Sequence, residues 1–191
     1  MIKHSFWLVL CLFMSANLLA QCEVAFDEID DFDSLRTVSS HPVSFGYMIP
    51  SLFETVSGPK LIEEGKALVM YSQNDSINSF FLTLAIPEYT YRSIKPGNNV
   101  LMKLSDGEVI SFYDIPDKGV FDEGTNMRIY QHTIVLPIDM YYRLTFSTIE
   151  AIRIEYKKVK RTFRLTEEQQ MAIREAMQCV GRQVELYPVK P

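Results

Sequence analysis

The chain has 191 residues, 47% of them hydrophobic, and a formal net charge of −5 at neutral pH. That length can furnish one domain with a sizeable core, and the modest acidity argues against general nucleic-acid binding, which draws on a basic domain. Ten tyrosines and twelve phenylalanines, beside many valines, isoleucines and threonines, favour strands over helices.

Residues 1–21 read as a secretory signal peptide. Lys3 and His4 form a short basic start, and Phe6 to Met14 is an unbroken apolar run. A secretory apolar segment spans about 7–15 residues, whereas a spanning helix needs roughly 18 or more. A buried core helix would show a polar face, and this run shows none. No later stretch is both long and free of charge, so the mature protein is expected to be soluble and exported, in a periplasmic or extracellular setting.

Cys22 follows the signal at once, and the only other cysteine beyond it is Cys179. Bacterial lipoproteins place leucine and two small residues before a lipidated cysteine. Here the residues are Leu19-Ala20-Gln21-Cys22, with Gln21 where a small residue belongs. Ordinary cleavage after Ala20 or Gln21 fits better, and lipidation of Cys22, which anchors the chain to a membrane, stands as the alternative. Two cysteines in an oxidising compartment permit one intrachain connectivity, Cys22–Cys179. Such a bridge closes about 160 residues and adds roughly 4–5 kcal/mol in the chain-entropy model. Two unpaired thiols are the other possibility.

The mature elements, in chain order, begin uncertainly. Residues 23–39 alternate poorly around Val24, Phe26, Ile29 and Phe32, and residues 49–57 fit one helical turn or a loop. Segments 66–72 and 79–86 read as strands, the second covered on both faces. Asn99 to Asp114 reads as a hairpin with a two-residue Asp106-Gly107 turn. That turn sets Leu104 opposite Val109, with Val100, Met102, Leu104, Val109 and Tyr113 on one side.

Arg128 to Leu136 is the next strand. Pro137 and Asp139 open a short helix near 138–147, with Asp139 as its cap. Residues 151–157 alternate, with Ile152, Ile154 and Tyr156 inward, and pair with 161–165. Thr166 to Gln169 fits a capping box for a helix near 166–180, which buries Ile173, Ala176, Met177 and Val180 and stops near Gly181. The expected fold is α+β and mostly antiparallel β, a sheet or sandwich with helices on one end. The chain divides into the signal, one β-rich domain at 22–181, and a C-terminal tail at 182–191.

No catalytic residue, metal ligand or cofactor is assigned: the HExxH, GxSxG, P-loop and CxxC patterns are all missing from the sequence. His41 and His132 lie far apart, and His132, between Tyr130 and Ile134 on a strand, reads as a packed histidine rather than a ligand or base. The acidic run Asp27, Glu28, Asp30, Asp31 and Asp33 lacks calcium-loop spacing and reads as a solvated face. The stretch 114–126, with Asp114, Asp117, Phe121, Asp122 and Glu123, is long for a loop; it is either flexible or a contact or cation loop. Arg153, Lys157, Lys158, Lys160, Arg161 and Arg164 form a basic cluster. That cluster either touches anionic lipid or polysaccharide or protects an edge hairpin from aggregation. If Cys22 meets Cys179, the acidic run is expected to lie near this hairpin and neutralise it.

Three segments carry a resemblance: Asp30 to Phe32, Lys103 to Glu108, and Ile149 to Ile154. Together they resemble small exported proteins of Bacteroidetes-type bacteria, which share an acidic strand, a Lys-Leu-x-Asp/Asn-Gly-Glu hairpin and an Ile-x-x-Ile-Arg-Ile strand. The resemblance implies a β-rich exported chain and carries no functional residue. Three classes of function remain: a non-enzymatic structural or binding module of the cell envelope using a sheet face or the 114–126 loop, a lipid-anchored envelope protein, and a hydrolase with an unrecognised site. Partners of the first would be envelope protein or polysaccharide, with no nucleic acid.

Overall fold

A computed structural model describes residues 22–187 apart from Ile77 and Pro116. The predicted signal peptide and the last four residues of the predicted tail lie outside the described residues. Among the described residues there are eleven strands and two helices: β1 (Val24–Ile29), β2 (Arg36–Ser40), β3 (Val43–Thr55), β4 (Gly58–Gln73), β5 (Asn78–Glu88), β6 (Asn98–Leu104), β7 (Val109–Tyr113), β8 (Val120–Asp122), β9 (Met127–Leu136), α1 (Ile138–Phe146), β10 (Ile149–Glu155), β11 (Lys160–Arg164) and α2 (Glu167–Gln183). The fold is α+β, built mostly of antiparallel strands.

The strands form two sheets. Seven make a large one in the order β1-β2-β4-β5-β9-β8, with β3 added to β4, and four make a small one in the order β11-β10-β6-β7. Alternation explains why they face each other. In β5, Phe80, Leu82, Leu84 and Ile86 are buried, and Val100, Met102, Leu104, Ile152 and Ile154 meet them from the small sheet in one hydrophobic cluster. Burying each such side chain contributes about 1.5–3 kcal/mol. Phe45 of β3 and Phe163 of β11 join the two sheets edge to face at 5.4 Å.

Helix α2 fills the wedge between the layers, packing on β2, β3 and β4 and also on β10. Ile173, Met177 and Val180 recur at helical spacing and are buried. Its start follows the sequence: the Thr166 hydroxyl accepts from Gln169 N, and the Gln169 side chain accepts from Thr166 N. The Tyr141 ring of α1 stacks on Phe80 at 3.6 Å, and its hydroxyl donates to Met177 O at 2.9 Å. Cys22 and Cys179 form a disulfide with Cα atoms 5.3 Å apart, tying the start of β1 to α2.

Several expectations are corrected. Residues 49–57 are neither helical turn nor loop; β3 runs through them to Thr55 because Ile49 and Pro50 pair with Ile62 and Leu61. Asp30 to Phe32 belongs to the bend between β1 and β2 rather than to a strand. The β6–β7 turn holds three residues, since Leu104 N bonds Glu108 O and Gly107, at φ +88°, takes the left-handed position. Val109 therefore faces Lys103, and Val100 faces Phe112. The one-residue slip turns β7 over: Phe112 is buried, and Val109 and Tyr113 are exposed.

Pro137, not Asp139, stands at the start of α1, and Asp139 sits in its first turn. Helix α2 continues past Gly181 to Gln183. Residues 182–187 are no free tail: Leu186 N and Tyr187 N both donate to Gly181 O, and Leu186 packs on the core.

Candidate functional site

The β3–β4 hairpin outgrows the sheet that carries it. β3 accompanies β4 from Ala67 out to Gly58, whereas β5 pairs with β4 only from Lys66 to Gln73. Register breaks between Phe45 and Met48 and between Pro50 and Glu54 bend β3. The bent strand is fastened to the β8–β9 turn: Leu52 N donates to Thr125 O at 3.0 Å, and Asn126 Nδ2 donates to Leu52 O at 3.3 Å. Lys60 Nζ donates to Gly124 O at 3.3 Å, and Tyr89 Oη donates to Pro50 O at 2.6 Å.

These bonds border a cleft of about 330 Å³ lined by Leu61, Ile62, Ala85, Pro87 and Ile129, with the charged Lys60, Glu63 and Lys66 on the same walls. The hairpin itself exposes Tyr47, Met48, Leu52, Phe53 and Leu61, and Val56 at its tip is fully exposed.

A second concavity, of about 390 Å³, lies between the chain entering β6 and the β10–β11 turn, with Tyr91, Arg92, Ser93, Tyr156, Lys157 and Lys158 on its walls. Its two sides are joined by the Lys157 N to Ser93 O bond at 2.9 Å and by pairing of Ile94 with Tyr156. Arg92 is fixed from behind, because its N–H donates to Tyr130 Oη at 2.6 Å and its Nε donates to buried Glu88 at 3.1 Å.

Behind the Tyr156 wall runs a polar chain. His132 Nδ1 meets Asp114 Oδ2 at 2.6 Å, and His132 Nε2 meets Tyr156 Oη at 3.2 Å. Burial, with the charge of Glu88 beside it, pushes the Tyr156 pKa up, so its hydroxyl stays protonated. The His132 and Asp114 side chains have no solvent exposure. Asn99 Nδ2 donates to the same Asp114 Oδ2 at 3.5 Å, while Asp114 Oδ1 and Asn99 Oδ1 are buried without a hydrogen-bond partner among the described residues.

The residues singled out in the sequence fall in separate places. Asp114 is interior, Asp117 accepts from Gln131 N at 2.8 Å, Asp122 accepts from the Thr125 hydroxyl at 2.6 Å, and Phe121 and Glu123 are exposed. The 114–126 stretch is thus no free loop: Ile115 bridges Thr133, and β8 pairs with β9. Among the described residues no three His, Cys, Asp or Glu side chains gather in a way that could hold a metal ion.

The basic cluster divides. Arg161 lies between the sheets, bonded to Glu64 at 2.7 Å and Glu88 at 3.2 Å, and Lys160 binds Glu155 at 2.6 Å. Glu155 is buried although it alternates with the inward Ile154 and Tyr156, and Lys160 with Lys95 holds its carboxyl down at about 2. Arg153, bonded to Thr162 at 2.9 Å, and Arg164 are exposed on the small sheet, while Lys157 and Lys158 stand at the basic pocket. The acidic run does not neutralise this hairpin. Asp27 pairs with Arg36, which lowers its pKa to about 2, and Asp30 and Asp33 accept backbone N–H groups of their own bend.

Sequence reasoning missed the cleft and the Tyr91–Arg92–Ser93 wall. The second left a trace, an aromatic and basic run just before the Pro96-Gly97 turn. The chain matches no family model, no curated protein and no solved structure. The disulfide marks an oxidising, non-cytosolic setting, and no described helix is long and apolar enough to cross a membrane.

Proposed function

We propose that this chain is an exported, non-enzymatic binding module of the bacterial envelope that holds a partner protein through the β3–β4 hairpin and its cleft. The observation that carries the reading is the set of exposed apolar side chains Tyr47, Met48, Leu52, Phe53, Val56 and Leu61 on one hairpin, backed by a cleft in which Leu61, Ile62, Ala85, Pro87 and Ile129 stand beside Lys60, Glu63 and Lys66. Interface centres gather such aromatic and aliphatic side chains in place of charge. The fastening of the hairpin to the 124–126 turn supports it further, because a surface held rigid before contact loses less entropy on binding.

The compartment is supported by the Cys22–Cys179 bond. That bond also favours the unanchored form over the lipid-anchored one, since one sulfur cannot carry both a disulfide and a thioether. The sealing of His132 and Asp114 away from solvent favours binding over hydrolysis.

The test is a photo-crosslinking residue placed at Val56 and, as a control, at Arg153 on the small sheet, in the native host. A discrete protein adduct at position 56, missing at 153 and abolished by Leu61→Asp, is expected. Adducts of equal yield at both positions, or lipid adducts alone, would overturn the reading.

A further inference from the structure

The pocket between residues 91–93 and the β10–β11 turn shares no lining residue with the hairpin cleft. We infer that it is a second binding site, for an acidic saccharide: a sugar ring bearing a carboxylate or sulfate group.

Charge is the first reason. The chain as a whole is acidic at −5, yet Arg92, Lys157 and Lys158 converge on one concavity. The carboxylates nearby are already engaged: Glu155 by Lys95 and Lys160, and Glu88 by Arg92 and Arg161. Lys157 and Lys158 are left exposed, outside those pairs. Basic groups grouped in a concave wall focus their field and attract anions.

Preorganisation is the second. Tyr130 clamps the Arg92 backbone from both sides, donating to its C=O at 2.9 Å and accepting from its N–H. Glu88 takes the Arg92 Nε, which leaves the terminal nitrogens of the fork for a planar anion. The Lys157 N to Ser93 O bond fixes the lysine turn against the opposite wall.

The third reason selects a sugar over a bare anion. Tyr91, 66% exposed and with the Arg128 guanidinium 5.9 Å from its ring centroid, gives the concavity an aromatic side chain, and Ser93 is a further lining residue. Aromatic faces pack the C–H face of a sugar while hydroxyl and charged groups take its polar rim. At about 390 Å³ the space lies within the small-ligand range of roughly 300–1,000 Å³. A flat lipid surface would need an exposed plane of charge instead, and these groups line a hollow.

Isothermal titration of the disulfide-intact chain with trigalacturonate, maltotriose, sodium sulfate and anionic phospholipid vesicles tests the inference. Trigalacturonate should bind, more weakly as salt rises, and maltotriose should not. Lys157→Ala with Lys158→Ala should weaken binding about tenfold, Lys157→Arg with Lys158→Arg should keep it, and Tyr91→Ala should weaken the saccharide without changing sulfate. Leu61→Asp, in the other cleft, should leave it untouched. Absence of trigalacturonate binding, equal binding of maltotriose, sulfate binding as tightly as the saccharide, or affinity for vesicles alone would each overturn it.

Discussion

Tyr156 shows how one residue can serve both the basic pocket, which it lines, and the interior, where its hydroxyl meets His132 Nε2. Tyr156→Phe keeps the wall and strands a buried ring nitrogen. Its unfolding free energy should fall by about 1–3 kcal/mol in urea titrations. Glu155 next door reports on the turn through its protonation. Its folded pKa is held at about 2, first by Lys160 and then by Lys95, against roughly 4.3 in an unfolded chain. A depressed acid stabilises above its unfolded pKa and loses that contribution as pH falls through the folded value. Carboxyl NMR should place the Glu155 midpoint near 2, and Lys160→Ala should raise it. That His132 is packed was legible from its place between Tyr130 and Ile134. Its partner Asp114 was not, because nothing local says that a residue at the end of β7 turns inward.

Helix α2 was the most legible element, since its capping box and apolar stripe are both local signals. Thr166→Ala should cost about 1 kcal/mol by thermal or urea unfolding. The far end of α2 misled because Gly181 looks like a stop but serves close packing: a Cβ there would collide with the Tyr141 hydroxyl. Gly181→Ala should therefore destabilise by about 1–3 kcal/mol, despite the better helix propensity of alanine. The β6–β7 hairpin was read with the right strands and the wrong register. Asp-Gly suits a two-residue turn and also a three-residue turn with glycine in third place, and only the burial of Phe112 separates them. Likewise β8 is three residues long, too short to announce itself, so the stretch it pins to β9 resembled an open loop.

The whole molecule is a two-layer sandwich wedged by a helix and clasped by Cys22–Cys179, with the hairpin cleft and the basic pocket formed from separate residues. The sheet-rich class was readable from aromatic and β-branched content. The cleft was not, because it arises where β4 loses β5 as a neighbour, a property of three strands distant in sequence. Cys22→Ser, which removes the bridge, should lower the unfolding free energy by about 2–5 kcal/mol in urea titrations. Compartment underlies both proposed ligands, so the most direct measurement is the intact mass and N-terminal sequence of the protein recovered from its native host. A chain beginning at residue 21 or 22, lacking two hydrogens relative to its reduced form and without acyl groups, is the predicted product. A chain beginning at Met1 with free thiols at Cys22 and Cys179, or one carrying a lipid on Cys22, would contradict it.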